Sequence, residues 1–307
     1  MKPCFRSLTV PPEKDGCTVR HLLKTRLEMA EGYIAALKTC PDGILLNGLP
    51  VHTNVRVRAG DTLSARIDDR EGGNPARPEP VPLRFVWEDN CLAVLEKPAG
   101  LVVHGTPEGL PTLANALAFH WGAAQPFHPV HRLDRGTTGL LVVAKSAYIA
   151  ELLRRRLHTE DFNRGYLALI EGELEPAAGE IRLPLGPMEG ERCRQTVRRD
   201  GKSACTFYRT EGVYGGLALL RLRLDTGRSH QIRAHLAALG HPLPGDMLYG
   251  GKPVPGLDRP ALHAAFLTLR HPVTGEVLEL CSRLPEDMER LLKKEKRFQK
   301  DEVKVFC

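Results

Sequence analysis

The chain has 307 residues, 42% of them hydrophobic, which is enough for one large domain with a small companion. Lysine and arginine (43) outnumber aspartate and glutamate (37), a modest surplus that permits an anionic partner without requiring one. No apolar run approaches the ~20 residues of a membrane span, and Met1-Lys2-Pro3-Cys4-Phe5-Arg6 lacks the apolar stretch of a secretory signal. A soluble, cytoplasmic protein is expected.

Eight cysteines are scattered with no C-x-x-C pair, which predicts free thiols in a reducing compartment over a zinc site or a disulfide framework. Residues 1–70 read as a small α+β unit. Thr18 can cap a helix carrying Val19, Leu22, Leu23 and Leu27, and a second helical stretch runs over Met29 to Cys40. Ile44 to Leu46, an Asn47-Gly48 turn, an alternation through Val51, Val55 and Val57, and a Gly60-Asp61 turn before Leu63, Ala65 and Ile67 predict a hairpin. Residues 71–82 hold four prolines and two glycines and are expected to form an extended, fairly stiff linker.

A large domain is predicted over 83–285. Phe85 to Trp87 and Leu92 to Leu95 suggest a hairpin around Glu88-Asp89-Asn90. Thr112 and Ser146 each precede a helical pattern, the first with Leu113, Ala116 and Leu117 inward, the second with Ile149, Leu152, Leu153 and Leu157. Strands are predicted over the Leu140 to Ala144 run, Tyr166 to Ile170, Ala204 to Arg209, Leu217 to Leu224 and Leu262 to Leu269. A helix over Ser229 to Leu239 is expected to turn Ile232, Leu236 and Leu239 inward. Strands outnumber helices without alternating with them, so the fold class is α+β with a largely antiparallel sheet. The charged tail 286–307 reads as a helix or a mobile segment. Two basic clusters, Arg154-Arg155-Arg156 and Arg192, Arg194, Arg198, Arg199 and Lys202, are either solvated faces or phosphate-tracking surfaces.

The chemistry concentrates in His131-Arg132-Leu133-Asp134-Arg135-Gly136-Thr137-Thr138-Gly139. One carboxylate stands between two arginines, which favour its charged form, and a small-residue turn leads to a buried strand that can present it rigidly. An Arg-Leu-Asp triplet alone is usually a solvated ion pair worth little. Three further segments add weight. Period-2 alternation puts Tyr166, Ala168 and Ile170 on one face of a strand. Thr226-Gly227-Arg228-Ser229-His230-Gln231-Ile232-Arg233 crowds polar side chains into a helix start, which is costly without partners. Gly240-His241-Pro242-Leu243-Pro244-Gly245-Asp246-Met247-Leu248-Tyr249-Gly250-Gly251 by itself reads as a connector.

Together with Lys97-Pro98-Ala99-Gly100-Leu101, Leu262-His263-Ala264 and His271-Pro272, these segments resemble, in order and spacing, the RluA-type pseudouridine synthases, with the architecture of the RluD-like branch. The resemblance covers about 84 to 280; Glu96 and Met247 depart from the family pattern at positions not expected to do chemistry. The N-terminal unit resembles the small S-four-type RNA-binding domain, although its second helix is weakly basic. The resemblance implies a pseudouridine-synthase fold, with a central mixed sheet flanked by helices. It also implies isomerisation of uridine to pseudouridine in RNA, large-subunit ribosomal RNA above all, with a stem-loop or single-stranded target. Asp134 matches the catalytic aspartate, Tyr166 the tyrosine that stacks on the target base, and Arg233 the arginine that pairs with the aspartate. Arg132 matches the arginine that displaces the base; Arg228, His230 and Gln231 are expected to bind substrate. No cofactor or metal is expected, His230, His235, His241 and His263 being read as structural or RNA-contacting, and the default is a monomer. The competing readings are a non-catalytic RNA-binding or rRNA-folding protein on the same scaffold, and a nucleoside or glycoside hydrolase. The last would need a second catalytic carboxylate.

Overall fold

The computed structural model describes residues 4–69, 73–103, 109–191 and 194–296. The N-terminal unit is a four-stranded antiparallel sheet, β1 (Phe5–Thr9), β2 (Ile44–Leu46), β3 (Leu49–Pro50) and β4 (Thr62–Arg66), in the order β1-β4-β2-β3. Two helices join it, α1 (Val19–Thr25) and α2 (Glu31–Lys38). Thr18 caps α1 as expected, its side chain accepting from the His21 N–H. The alternation through Val51, Val55 and Val57 does not extend the hairpin. Only Leu49–Pro50 returns along β2, and the chain then runs through turns to a single bridge between Arg56 and Thr18.

The small unit does not stand apart. Leu22, Leu23, Ile34, Leu63 and Ala65 share one apolar core with Leu92, Val94, Leu140, Val142, Ile149 and Leu153 of the large domain. The Tyr33 and Tyr148 rings stack at 5.3 Å, and Arg6 donates to the Tyr148 hydroxyl at 2.6 Å. The described part of the linker is likewise strapped down. Asn74 is buried and its side-chain amide donates to the Ala114 carbonyl at 2.6 Å.

The large domain is built on a ten-stranded sheet. Its strands are β5 (Arg84–Glu88), β6 (Leu92–Lys97), β7 (His128–Pro129), β8 (Thr138–Ala144), β9 (Phe162–Glu171), β10 (Ala178–Arg182), β13 (Cys205–Tyr214), β14 (Leu217–Leu224), β15 (Leu262–Arg270) and β16 (Val277–Cys281). A separate hairpin inserts β11 (Leu185–Pro187) and β12 (Gln195–Val197). The main path runs β10-β13-β14-β9-β15-β8-β6-β5, with β16 on β15 and β7 on β8; β15 and β8 are parallel and the other pairs antiparallel. The sheet is thus mixed and largely antiparallel, as expected.

The helices are α3 (Leu113–Trp121), α4 (Ala147–Arg156), α5 (Gln231–Ala238) and α6 (Glu286–Lys296). Thr112 and Asn115 form a reciprocal capping box on α3, and Ser146 caps α4. Strand β9 is buried on both faces. Tyr166, Ala168 and Ile170 pack with Ile232 and Leu236 of α5; Leu167 and Leu169 pack with Met288, Leu291 and Leu292 of α6. Each fully buried side chain of this size contributes roughly 1.5–3 kcal/mol, which accounts for the first part of the charged tail being an ordered helix. Residues 297–307, like Arg192 and Cys193, lie outside the described residues. Leu239 corrects the predicted α5 face: it is the C-cap residue, 42% exposed, because Gly240 at φ +84° turns the chain away.

Candidate active site

Asp134 begins the turn that enters β8, closed by the Thr137 N–H on the Asp134 carbonyl at 3.1 Å. Two devices fix this turn. Gly139, at φ +108°, lies so close to β15 that a Cβ would overlap the Ala264 carbonyl, so only glycine lets the parallel pair form at this register. Lys97, at the end of β6, is 1% exposed and donates to the carbonyls of Pro98, Leu101 and Arg135 at 2.8, 2.9 and 3.1 Å. Burial pushes its amine down to about 7, against the pull of the Asp134 charge.

The start of α5 supplies the opposite wall. His230, its N-cap residue, takes the left-handed conformation (φ +52°), unusual for a residue with a side chain and often found at functional sites. Its Nε2 is 3.9 Å from Asp134 Oδ2. Burial lowers the histidine's pKa and outweighs the Asp134 charge, so the ring is neutral at pH 7. Arg233 sits one turn further on. Its Nη1 reaches Asp134 Oδ2 at 3.4 Å, while Nε and Nη2 make a two-bond pair with Asp246 at 2.7 Å each. Burial works against its charge, and the bonds and charge of Asp246, with Asp134 behind them, more than restore it.

Tyr166 reaches the same space from β9, opposite Leu222 of β14 and Ala264 of β15. Burial raises its phenol and the Asp134 charge adds to this, so the hydroxyl stays protonated at neutral pH. His131, Arg132, Asp134, Tyr166, Arg228, His230 and Arg233 all line a cleft of about 210 Å³. That is below the ~300–1,000 Å³ of typical ligand pockets, a size for a single base and not for a dinucleotide. It holds one exposed-edge carboxylate, a flat ring and cationic groups around its mouth.

A profile of the family described as RNA pseudouridylate synthase matches residues 91–238. The chain is 37% identical to "Ribosomal large subunit pseudouridine synthase D" of Haemophilus influenzae, over 93% of each chain. It is 41% identical to the protein of the same name from Yersinia pestis, over 70% of this chain and 71% of that one. The chain belongs to the RNA pseudouridylate synthase family, of the RluA/RluD type. Its structure is similar to that of human RNA pseudouridylate synthase domain containing 4, with a TM-score of 0.57, 27% identity, and coverage of 69% of this chain and 93% of that one. The protein is therefore an enzyme that isomerises uridine to pseudouridine in RNA.

Within this synthase the residues read from sequence converge on the cleft. Arg233 reaches Asp134 through one longer bond and makes its two-bond pair with Asp246. Gln231 lines the cleft but its amide is spent: it accepts from Thr226 Oγ1 and the Arg228 N–H, and donates to the Cys205 carbonyl and Thr206 Oγ1. With these four bonds it braces the turn. Arg228 is exposed, with Nε on the Ser203 carbonyl, and Arg132 is exposed at the cleft mouth. The basic clusters are partly tied up in ion pairs, Arg155 with Glu151, Arg156 with Glu28, Arg194 with Glu191, and Arg198 with Asp200 and Glu189.

The sequence reading missed Asp246, Tyr249 and the burial of Lys97. The pairing of a buried arginine with a distant acid inside a turn-rich loop was the available signal, since such a charge needs a partner. Among the described residues, Asp89, Cys91 and His271 approach one another within 4.8 Å. His271 Nδ1 accepts from the Val273 and Thr274 N–H groups at 3.3 and 3.0 Å, which leaves the proton on Nε2, 3.1 Å from Asp89. That nitrogen has no lone pair to give a metal.

Proposed function

We propose that this synthase modifies uridines of large-subunit ribosomal RNA, and that Asp134 breaks the glycosidic bond. The observation that carries the residue assignment is the convergence of Asp134, Tyr166 and Arg233 on one base-sized cleft. The names of its similar bacterial relatives support the ribosomal substrate.

Uridine enters by flipping, which costs a few kcal/mol and least in loops, so a stem-loop or single-stranded site is the target. Asp134 acts on the ribose, either attacking C1′ or taking a ribose proton, and the N1–C1′ bond breaks. The detached uracil turns over on the Tyr166 face and carbon 5 bonds to C1′ as the Asp134–C1′ bond breaks or, in the other route, as Asp134 returns the ribose proton; the carbon-5 proton then leaves to solvent while N1 gains one. Arg233 and the neutral His230 hold the carboxylate on its Oδ2 side. Arg132 fills the space the base vacates, and Arg228 meets phosphate. The domain division that suits this reading is 1–70, 71–82, 83–285 and 286–307. The two helices and four-stranded sheet of the first unit support an S-four-type RNA-binding role. We read the enzyme as a cytoplasmic monomer, since ribosomal RNA is found there.

The test is tritium release from transcripts labelled at uridine carbon 5, comparing large-subunit ribosomal RNA with transfer RNA. Release by wild type from the ribosomal transcript, absent with Asp134→Asn, is expected. Release by Asp134→Asn at the wild-type rate would remove Asp134 from the mechanism, and release from transfer RNA alone would remove the ribosomal substrate.

A further inference from the structure

Arg233 is shared unequally between two carboxylates. Asp246 takes Nε and Nη2, both at 2.7 Å, and Asp134 takes Nη1 at 3.4 Å. Asp246 is 1% exposed and does not line the cleft. Its backbone is clamped in the loop, its N–H on the Leu243 carbonyl at 3.0 Å and its carbonyl accepting from Tyr249 and Gly251 at 3.0 and 2.9 Å.

Tyr249 closes the arrangement. The Arg233 guanidinium lies over its ring, 4.9 Å from the centroid. Its hydroxyl accepts from the Gln195 N–H of β12 at 2.9 Å and stands 3.1 Å from His230 Nδ1. The hydroxyl still has its own proton to place, and Nδ1 of the neutral ring is the acceptor within reach, which assigns it as donor to Nδ1. The neutral imidazole then carries its proton on Nε2, the nitrogen 3.9 Å from Asp134.

Resting on the reading that Asp134 reacts with ribose, we infer that Asp246 and Tyr249 are positioning residues that keep one oxygen of Asp134 available. A guanidinium free to turn would seat two N–H groups on Asp134 and engage both oxygens. Held by Asp246, it offers only Nη1, and the Nε2–H of His230, oriented by Tyr249, faces the same oxygen. Both contacts fall on Oδ2, and Oδ1 takes neither.

The experiment is single-turnover tritium release with RNA affinity measured alongside. Asp246→Asn replaces one acceptor with an N–H₂ and lets Arg233 swing to Asp134. The rate is expected to fall about 10- to 100-fold, the scale of a small misplacement, with Kd for RNA held within about twofold. In an Arg233→Ala background the same substitution should cost less than about twofold, because Asp246 acts through Arg233. An Asp246→Asn enzyme at the wild-type rate, or an equal loss in both backgrounds, overturns the inference. Tyr249→Phe keeps the ring and the fold while removing the hydroxyl; a rate loss of about fivefold or more at unchanged Kd is expected, and no loss overturns its part. Asp134→Asn runs in parallel. If it is active the nucleophile assignment fails; if it is inactive while Asp246→Asn is normal, only the positioning role fails.

Discussion

The ammonium of Lys97 donates to the carbonyl of Arg135, the residue next to Asp134, at 3.1 Å. With the bonds to Pro98 and Leu101, all three of its hydrogens are used inside the protein. Lys97→Met keeps the apolar stem and strips this donor from the Pro98 and Leu101 carbonyls, each loss costing about 1–3 kcal/mol before relaxation, while the Arg135 carbonyl keeps only the Gly100 N–H at 2.9 Å. The turn that carries Asp134 is expected to loosen, so kcat should fall further than RNA affinity. A melting curve and a kcat/Kd comparison check this, and a variant with wild-type Tm and kcat would show that the turn is fixed without the lysine.

The same lysine makes a pH prediction. Its pKa in the fold is about 7, against about 10.4 when unfolded. Between these values the unfolded chain binds the extra proton, so this group makes stability rise with pH, by at most about 1.4 kcal/mol per unit. Below pH 7 both states are protonated and the full cost of burial is present. Urea unfolding at pH 7, 8 and 9 should therefore show a rise in wild type that Lys97→Met lacks; parallel curves would mean the buried amine keeps its charge throughout.

Much of the fold is written in local signals, and those are the parts legible in the sequence. Thr18, Thr112 and Ser146 each cap a helix with their own side chain, and β14 spans Leu217–Leu224 as its alternation suggests. What local pattern does not carry is pairing at a distance. Short strands such as β1 and β10 are specified by the neighbours they join, Phe5 opposite Arg66 and Ile181 opposite Thr206. The site divides the same way. The loop around Asp134 and the crowded start of α5 stand out as chemistry. Asp246 does not, because a Gly-Asp pair in a turn-rich loop looks like a connector until Arg233 is seen against it. Gln231 shows the complementary limit. Its polar group was visible, and the four bonds that use it up come from residues as far away as Cys205.

Tyr166 is expected to work as a protonated phenol. Burial raises its pKa, so no phenolate forms near pH 7. The wild-type single-turnover rate should not climb tenfold per unit from pH 7 to 9, as it would if a phenolate were the base. Tyr166→Phe should hold Kd for RNA within about twofold, since it keeps the flat face. Tyr166→Ala should weaken binding by roughly 1–3 kcal/mol, the worth of one stacked base. Equal binding by the two variants would deny the ring its role as a platform.

His263 ties β15 to its surroundings. Thr138 donates to its Nδ1, its Nε2 donates to Ser282 at 3.1 Å, and Ser282 donates to Glu96 at 2.7 Å. Burial pushes its pKa down to about 4, from 6.5 in the unfolded chain. Between those values the unfolded state binds the proton, so stability is lost as pH falls from 6.5 to about 4, on the order of 3 kcal/mol from this residue. His263→Gln should start less stable at pH 7 and lose less on acidification. An identical acid slope in the two proteins would place the titrating groups elsewhere.

The two exposed arginines at the cleft should fail in different ways. Arg228 is anchored by one N–H on Ser203 and has others to offer a phosphate. Arg228→Ala should weaken all RNA substrates alike and reduce the slope of log K against log salt by about 0.7–0.9, one counterion's worth. Arg132 flanks Asp134 and lines the cleft, where a guanidinium can fill the gap left by a flipped base. Its removal should matter most when flipping is expensive. Arg132→Ala is expected to slow tritium release from a uridine paired in a stem more than from the same uridine in an unstructured oligonucleotide, with the salt slope nearly unchanged. Equal slowing on both substrates, with the slope reduced by one contact, would make Arg132 a second phosphate ligand and leave the displaced base to another group.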